Sequence, residues 1–260
     1  MIHEANGGFV KSEIHKGIAT VEFFHPQGNS LPGSLLRELA KEIHSHGHNA
    51  EVHVILIKSG GDTVFSSGAS FDELEQLRTL DEAIHFFSGF AELINIMRKV
   101  PKFIVGRIHG KCVGGGIGIA AAVDYAIAVE GADIRLSELS FGIGPFVVGP
   151  AVERKIGLSS FSQLAIDSTM WRNADWARRK GLYAELHPNV ESMDESIFRL
   201  TTTLSNSSLQ AMADIKKLLW KNTDHWDQLL FDNASISGRL ILTEPARAAV
   251  ARLRAKVKPV

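Results

Sequence analysis

The chain has 260 residues, 45% of them hydrophobic, which is enough for a sizeable buried core and excludes wholesale disorder. Lys and Arg number 28 against 29 Asp and Glu, a net charge of -1 that provides no overall field for nucleic acid or for an anionic membrane surface. A single cysteine, Cys112, rules out an internal disulfide framework and a multi-cysteine metal site, and it suits a reducing cytoplasm.

The opening residues MIHEANGGFVKSEIHKG have neither the basic nor the apolar region of a secretory signal. The longest uncharged apolar stretch, 112–123, is too short to span a bilayer and is interrupted by Gly114, Gly115, Gly116 and Gly118, so no membrane segment is expected. In chain order, short β-branched runs predict strands over 18–24, 52–57, 103–108 and 125–129. Between them, helical spacing predicts a helix over 35–43, with Leu36, Leu39, Ala40 and Ile43 on one face, and one long helix over 71–98. Strands alternating with helices give an α/β class. After Pro188 the pattern turns helical, over 197–204, 209–220, 226–231 and 245–257, so residues 1–190 read as an α/β core and 191–260 as a helical module.

Two glycine-containing loops, 65–70 and 109–118, each follow a strand and precede a helix. Such loops let a ligand atom approach backbone N–H groups, and the unpaired amides at a helix start favour an anion or a developing oxyanion. Glycines there also serve close packing of strand and helix, and the residues alone leave both readings open. Gly116-Ile-Gly-Ile-Ala-Ala121 also satisfies the dinucleotide pattern G-x-G-x-x-A, but the acidic residue due about 20 positions on has only Glu138 nearby, in a segment that does not read as a strand end. Glu138 itself lies among apolar residues ahead of a Pro- and Val-rich turn. A carboxylate desolvated there becomes a proton carrier near neutrality, although an arbitrary loop glutamate is solvated. His44, His46 and His48 end a surface helix without evident thiolate or carboxylate help, so no metal site is expected. No G-x-S-x-G elbow occurs, which argues against a serine hydrolase.

Five segments, in order, resemble motifs of the crotonase superfamily, the enoyl-CoA hydratase/isomerase family. They are His25-Pro-Gln-Gly-Asn-Ser-Leu31, Val64-Phe-Ser-Ser-Gly-Ala69, Ile108-His-Gly-Lys-Cys-Val-Gly-Gly-Gly116, Val123-Asp-Tyr-Ala-Ile-Ala128 and Leu136-Ser-Glu-Leu-Ser-Phe-Gly142. The resemblance covers nearly the whole chain. It implies a ββα spiral core with a C-terminal helical trimerisation domain, assembled as a homotrimer or a dimer of trimers, acting on an acyl-CoA substrate without metal or redox cofactor. It further implies that the N–H groups of Ala69 and Gly115 form an oxyanion hole and that Ser67, Gly68, Gly116 and Gly118 line the substrate path, with Glu138 as catalytic acid/base.

Two departures stand out against that pattern. The first of the hydratases' two glutamates falls where this chain has Gly118, and Ser70 replaces the usual Asp after the loop alanine. One carboxylate suffices to shift a double bond, whereas adding water is best served by two. Hydration, isomerisation and a non-catalytic acyl-CoA-binding protein are the readings that follow.

Overall fold

The computed structural model describes residues 2–5 and 7–257. A hairpin of β1 (Ile2–Ala5) and β2 (Gly8–His15) runs antiparallel into β3 (Ile18–Phe24), and from there the chain makes four turns of one plan: a long strand, a short strand, a helix. The first turn is β3, β4 (Ser30–Leu31) and α1 (Gly33–His48). The second is β5 (Val54–Ser59), the short strands β6 (Val64–Ser66) and β7 (Gly68–Ala69), then α2 (Phe71–Gln76) and α3 (Leu80–Lys99). The third is β8 (Phe103–Ile108), β9 (Lys111–Val113) and α4 (Gly115–Ala122). The fourth is β10 (Tyr125–Val129), β11 (Ile134–Arg135), a 3-10 turn (Glu138–Phe141) and α5 (Gly149–Ile166). After α6 (Ala174–Arg179) and β12 (Glu185–His187) come α7 (Val190–Ser205), α8 (Leu209–Leu219), α9 (Trp226–Ile241) and α10 (Glu244–Val257).

The long strands form a seven-stranded sheet in the order β1-β2-β3-β5-β8-β10-β12, parallel from β3 onward. Short strands pair separately, β6-β9-β11 in one sheet and β4-β7 in another. The winding follows from composition: Val54, Ile55 and Ile57 of β5 and Ala126, Ile127 and Ala128 of β10 are fully or almost fully buried, as a parallel sheet covered on both faces requires. Leu35, Leu36, Leu39, Ala40 and Ile43 give α1 the apolar stripe that seals it to the core. The α/β class and the four predicted strands are therefore present.

One expectation fails. The helix predicted over 71–98 is two helices, separated by Leu77, where the backbone turns extended (ψ 129), and by Thr79. Thr79 Oγ1 accepts the Glu82 N–H at 3.2 Å while the Glu82 carboxylate accepts the Thr79 N–H at 3.1 Å, a reciprocal cap that starts a new helix. Apolar spacing runs up to the break without signalling it, because Leu74 of α2 and Leu77 at the break itself are both buried.

The late helices do not stand apart from the strands. α7 lies on the long sheet, α8 against β8, α9 along α3, and α10 against α2 and the 3-10 turn. Asp124, just past α4, anchors α8 to the sheet: its Oδ2 accepts from Lys216 Nζ at 2.9 Å and from the Ile104 N–H at 2.8 Å, and its Oδ1 accepts from Trp220 Nε1 at 2.8 Å. Among the described residues no helix is long and apolar enough to cross a membrane.

Candidate active site

The β6–β7 loop and the head of α4 meet backbone to backbone, and glycine makes the approach possible. Gly68 has φ 85, and a Cβ on it would lie 2.7 Å from the Val113 carbonyl oxygen and 3.1 Å from the Gly115 nitrogen. Ser66 fixes this loop by donating to the Asn29 carbonyl at 2.8 Å and accepting the Gly68 N–H at 3.1 Å. Asn29 is pinned in turn through Nδ2 to the carbonyls of Gly60 (2.7 Å) and Val64 (2.8 Å).

Ala69 and Gly115 are thereby brought to the edge of one cavity. Ser70 donates its N–H to Leu31 across the β4–β7 pair at 3.4 Å, so strand alternation turns the preceding N–H, that of Ala69, away from β4. At the head of α4, Ile117 and Gly118 donate to the Gly114 carbonyl at 2.9 and 3.4 Å, which leaves the N–H groups of Gly115 and Gly116 without a helical acceptor. Ala69 and Gly115 both line a cavity of ≈ 40 Å³, together with Ser67, Gly114, Ser137, Glu138 and Ser237. Its walls are otherwise apolar, with Phe71, Phe87, Phe90, Phe141 and Phe146 prominent among them.

Glu138 opens the 3-10 turn and is 7% exposed. Its Oε1 would be 3.1 Å from a Cβ on Gly114, so the carboxylate rests on the bare backbone of the glycine loop. Among the described residues Oε2 has no hydrogen-bond partner. Burial pushes the carboxyl up from 4.5 to about 7, against a smaller pull downward from the N–H groups of Glu138 and Ser137. It is the one titratable side chain among the described residues lining the cavity, poised to take up and release a proton at neutral pH.

Of the site residues expected from sequence, Ser67, Ala69, Gly115 and Glu138 come together here. Gly68, Gly116 and Gly118 do not line the cavity; each lets chain segments pack closely. Gly68 abuts Val113, Gly116 abuts Ser66, where a Cβ would fall 2.7 Å from the carbonyl oxygen, and Gly118 abuts Val148, whose own Cβ would be 2.8 Å away. Sequence assigns the acyl chain to side chains of the helix over 71–98 and of the turn 146–150 without choosing among them; Phe71, Phe87, Phe90 and Phe146 come from those segments, and Phe141 does not. Gly115→Ala is expected to press a methyl onto the Phe90 ring, 2.8 Å from Cζ, and by that overpacking to cost about 1–3 kcal/mol of stability, checked by equilibrium unfolding.

The remaining candidates lie elsewhere. His46 is buried against Glu42 (3.4 Å), the rings of His44 and His48 stack at 4.4 Å, and all three belong to α1, away from the cavity. Glu138 follows β11 into the cavity and does not end a strand of the large sheet, so the dinucleotide pattern lacks its ribose-binding carboxylate.

Residues 13–233 match the family model described as enoyl-CoA hydratase/isomerase. The chain belongs to the enoyl-CoA hydratase/isomerase family. A Bacillus subtilis protein named a probable enoyl-CoA hydratase is 27% identical over 248 residues, 95% of each chain. A Streptococcus mutans trans-2-decenoyl-[acyl-carrier-protein] isomerase is 26% identical over 217 residues, 81% of each. The crystal structure of an enoyl-CoA hydratase from Bacillus halodurans superposes with a TM-score of 0.86 at 22% identity, covering 94% of this chain and 99% of that one. The crotonase-like fold expected from the five motifs is thus the fold adopted, and the family contains both hydratases and isomerases.

Proposed function

We propose that the protein moves a carbon–carbon double bond along an unsaturated acyl-CoA thioester, with Glu138 as the only acid/base. The observation behind this reading is that Glu138 is, among the described residues, the lone titratable group lining a cavity that Ala69 and Gly115 also border. The thioester oxygen accepts from the N–H groups of Ala69 and Gly115. The Glu138 carboxylate removes a proton from the α-carbon of a β,γ-unsaturated substrate, and the electrons delocalise into a dienolate held by the two amides. The same carboxyl then returns its proton to the γ-carbon, giving the conjugated α,β-unsaturated thioester and regenerating the carboxylate. Ser67, which lines the cavity, borders the path of the substrate in this scheme, and no cofactor beyond the coenzyme A of the substrate is part of it.

Position 118 supports isomerisation over hydration. A carboxylate there has no room, because its Cβ would collide with Val148. Gly118→Glu is accordingly expected to gain no hydratase activity and to lower the melting temperature, checked by crotonyl-CoA assay and calorimetry. Hydration remains the second reading, favoured by the full-length similarity to a protein named a hydratase.

Assembly as a homotrimer or a dimer of trimers through residues 191–260, in the cytoplasm, belongs to the same proposal. Phe198 and Leu218, 71% and 62% exposed, offer apolar surface for such contacts.

The test is proton exchange. In D2O the protein should incorporate deuterium at the α- and γ-carbons of 3-hexenoyl-CoA, and Glu138→Gln should not. Coenzyme A thioester bound without exchange in either protein would instead identify a non-catalytic binder.

A further inference from the structure

The last helix spans the two segments that build the site. Ala246 of α10 is fully buried, and its Cα and Cβ lie 2.9 and 3.0 Å from where a Cβ on Gly142 would be. Gly142, left-handed at φ 82, ends the 3-10 turn that Glu138 begins; its N–H donates to Leu139 at 3.2 Å, and the Ile143 N–H donates to the Glu138 carbonyl at 3.2 Å. Only a bare backbone at Gly142 allows α10 this close. One residue further along α10, Arg247 Nη2 donates to the carbonyl of Leu77, the C-cap of α2, at 3.2 Å. α2 starts at Phe71, two residues past Ala69, and Phe71 packs edge to face on Phe141 of the turn with centroids 5.4 Å apart.

One helix therefore grips the segment carrying the carboxylate and the segment that follows an amide donor. We infer that Ala246 and Arg247 are positioning residues, through which α10 clamps the Glu138 turn against α2 and keeps water from the carboxylate. This inference rests on Glu138 being the acid/base of the proposed reaction.

Among the described residues no charged group competes for that role. α3 presents Phe87 and Phe90 to the cavity, the head of α4 presents Gly114 and Gly115, the start of α5 is preceded by Val147 and Val148, and α9 presents Ser237. Of the charges of α2 and of the described part of α10, Asp72 accepts from Gln27 Nε2, Glu73 from the Gly33 N–H, and Arg247 donates to Leu77, while Glu75, Glu244 and Arg252 do not line the cavity. With no charged side chain beside it in the cavity, the raised affinity of Glu138 for its proton comes from burial, and α10 packs on the turn that carries it.

The experiment follows the Glu138 carboxyl directly in the full-length protein, by 13C NMR titration of glutamate-labelled enzyme with the resonance assigned by its loss in Glu138→Gln. The arms are wild type, Arg247→Ala, Arg247→Lys and Ala246→Leu. Arg247 is exposed, so its variants retain the fold even if Ala246→Leu does not. Wild-type Glu138 should titrate near 7, and Arg247→Ala should lower that midpoint by about one unit and kcat by about tenfold with KM little changed, Arg247→Lys recovering most of both. A wild-type midpoint near 7 that Arg247→Ala leaves unmoved, at unchanged kcat, would overturn the clamp alone. A wild-type midpoint in the ordinary carboxylate range would overturn the single-base reading itself, and the clamp with it.

Discussion

Glu138→Gln is expected to lower kcat by about 10²–10⁴, the range associated with a positioned acid/base, while leaving thioester binding largely intact. The same substitution should change how stability depends on pH. Burial raises the carboxyl from 4.5 to about 7 in the folded protein, so between those values the native state retains a proton that the unfolded chain has lost. Unfolding free energy therefore falls as pH rises through that window: the contribution is fully present below 4.5 and gone above 7. At about 1.4 kcal/mol per unit, the wild type should lose about 3 kcal/mol to this one group between pH 4.5 and pH 8. A neutral glutamine cannot titrate, so the variant should lose less over the same range and equal or exceed the wild type at pH 8. Urea denaturation midpoints at pH 5 and pH 8 measure this, and parallel pH profiles for the two proteins would refute it. An active-site group that destabilises its own fold at working pH is a recurrent consequence of keeping a catalytic carboxyl dry.

Asp124→Ala should have the largest effect on stability. It removes the acceptor for Lys216 Nζ, for Trp220 Nε1 and for the Ile104 N–H at once, and Lys216 is buried with the Lys102 carbonyl (2.7 Å) as its other partner. Burial already lowers the Lys216 pKa, with Asp124 opposing that shift. Breaking one side of a buried pair typically costs about 3–5 kcal/mol because the surviving charge is left uncompensated. The double variant Asp124→Leu/Lys216→Met should regain much of that loss, since it removes both charges. Equilibrium unfolding of the single and double variants tests the pair. A double variant no more stable than Asp124→Ala would show that the two charges do not act together.

Sequence made some of this legible for physical reasons. The long strands announce themselves because both faces of a parallel sheet are covered, which leaves unbroken apolar runs such as Val54-Ile-Leu-Ile57. The glycine loops stand out because strand-to-helix junctions with so little side-chain bulk have few uses. What they could not reveal is which glycine faces which neighbour. Gly115 meets the cavity and Gly118 meets Val148, 30 positions away, so only the folded chain separates a cavity-lining glycine from a packing one. The break at Thr79 was readable in Thr79-Leu-Asp-Glu82, a capping signal overridden by the apolar spacing around it. The apolar flanks of Glu138 point to its burial. The phenylalanines that share its cavity come from α2, α3, the 3-10 turn and the segment before α5, an association no local pattern encodes.

In the proposed reaction one buried carboxylate and two backbone amides shift a double bond. The direct measurement follows the conjugated enoyl thioester spectroscopically in two parallel reactions, one with 3-hexenoyl-CoA and one with crotonyl-CoA. Conjugation should appear rapidly from 3-hexenoyl-CoA, an activity abolished in Glu138→Gln, and little of it should be lost from crotonyl-CoA. Rapid hydration of crotonyl-CoA with 3-hexenoyl-CoA unchanged, or isomerisation that survives Glu138→Gln, would contradict the proposal.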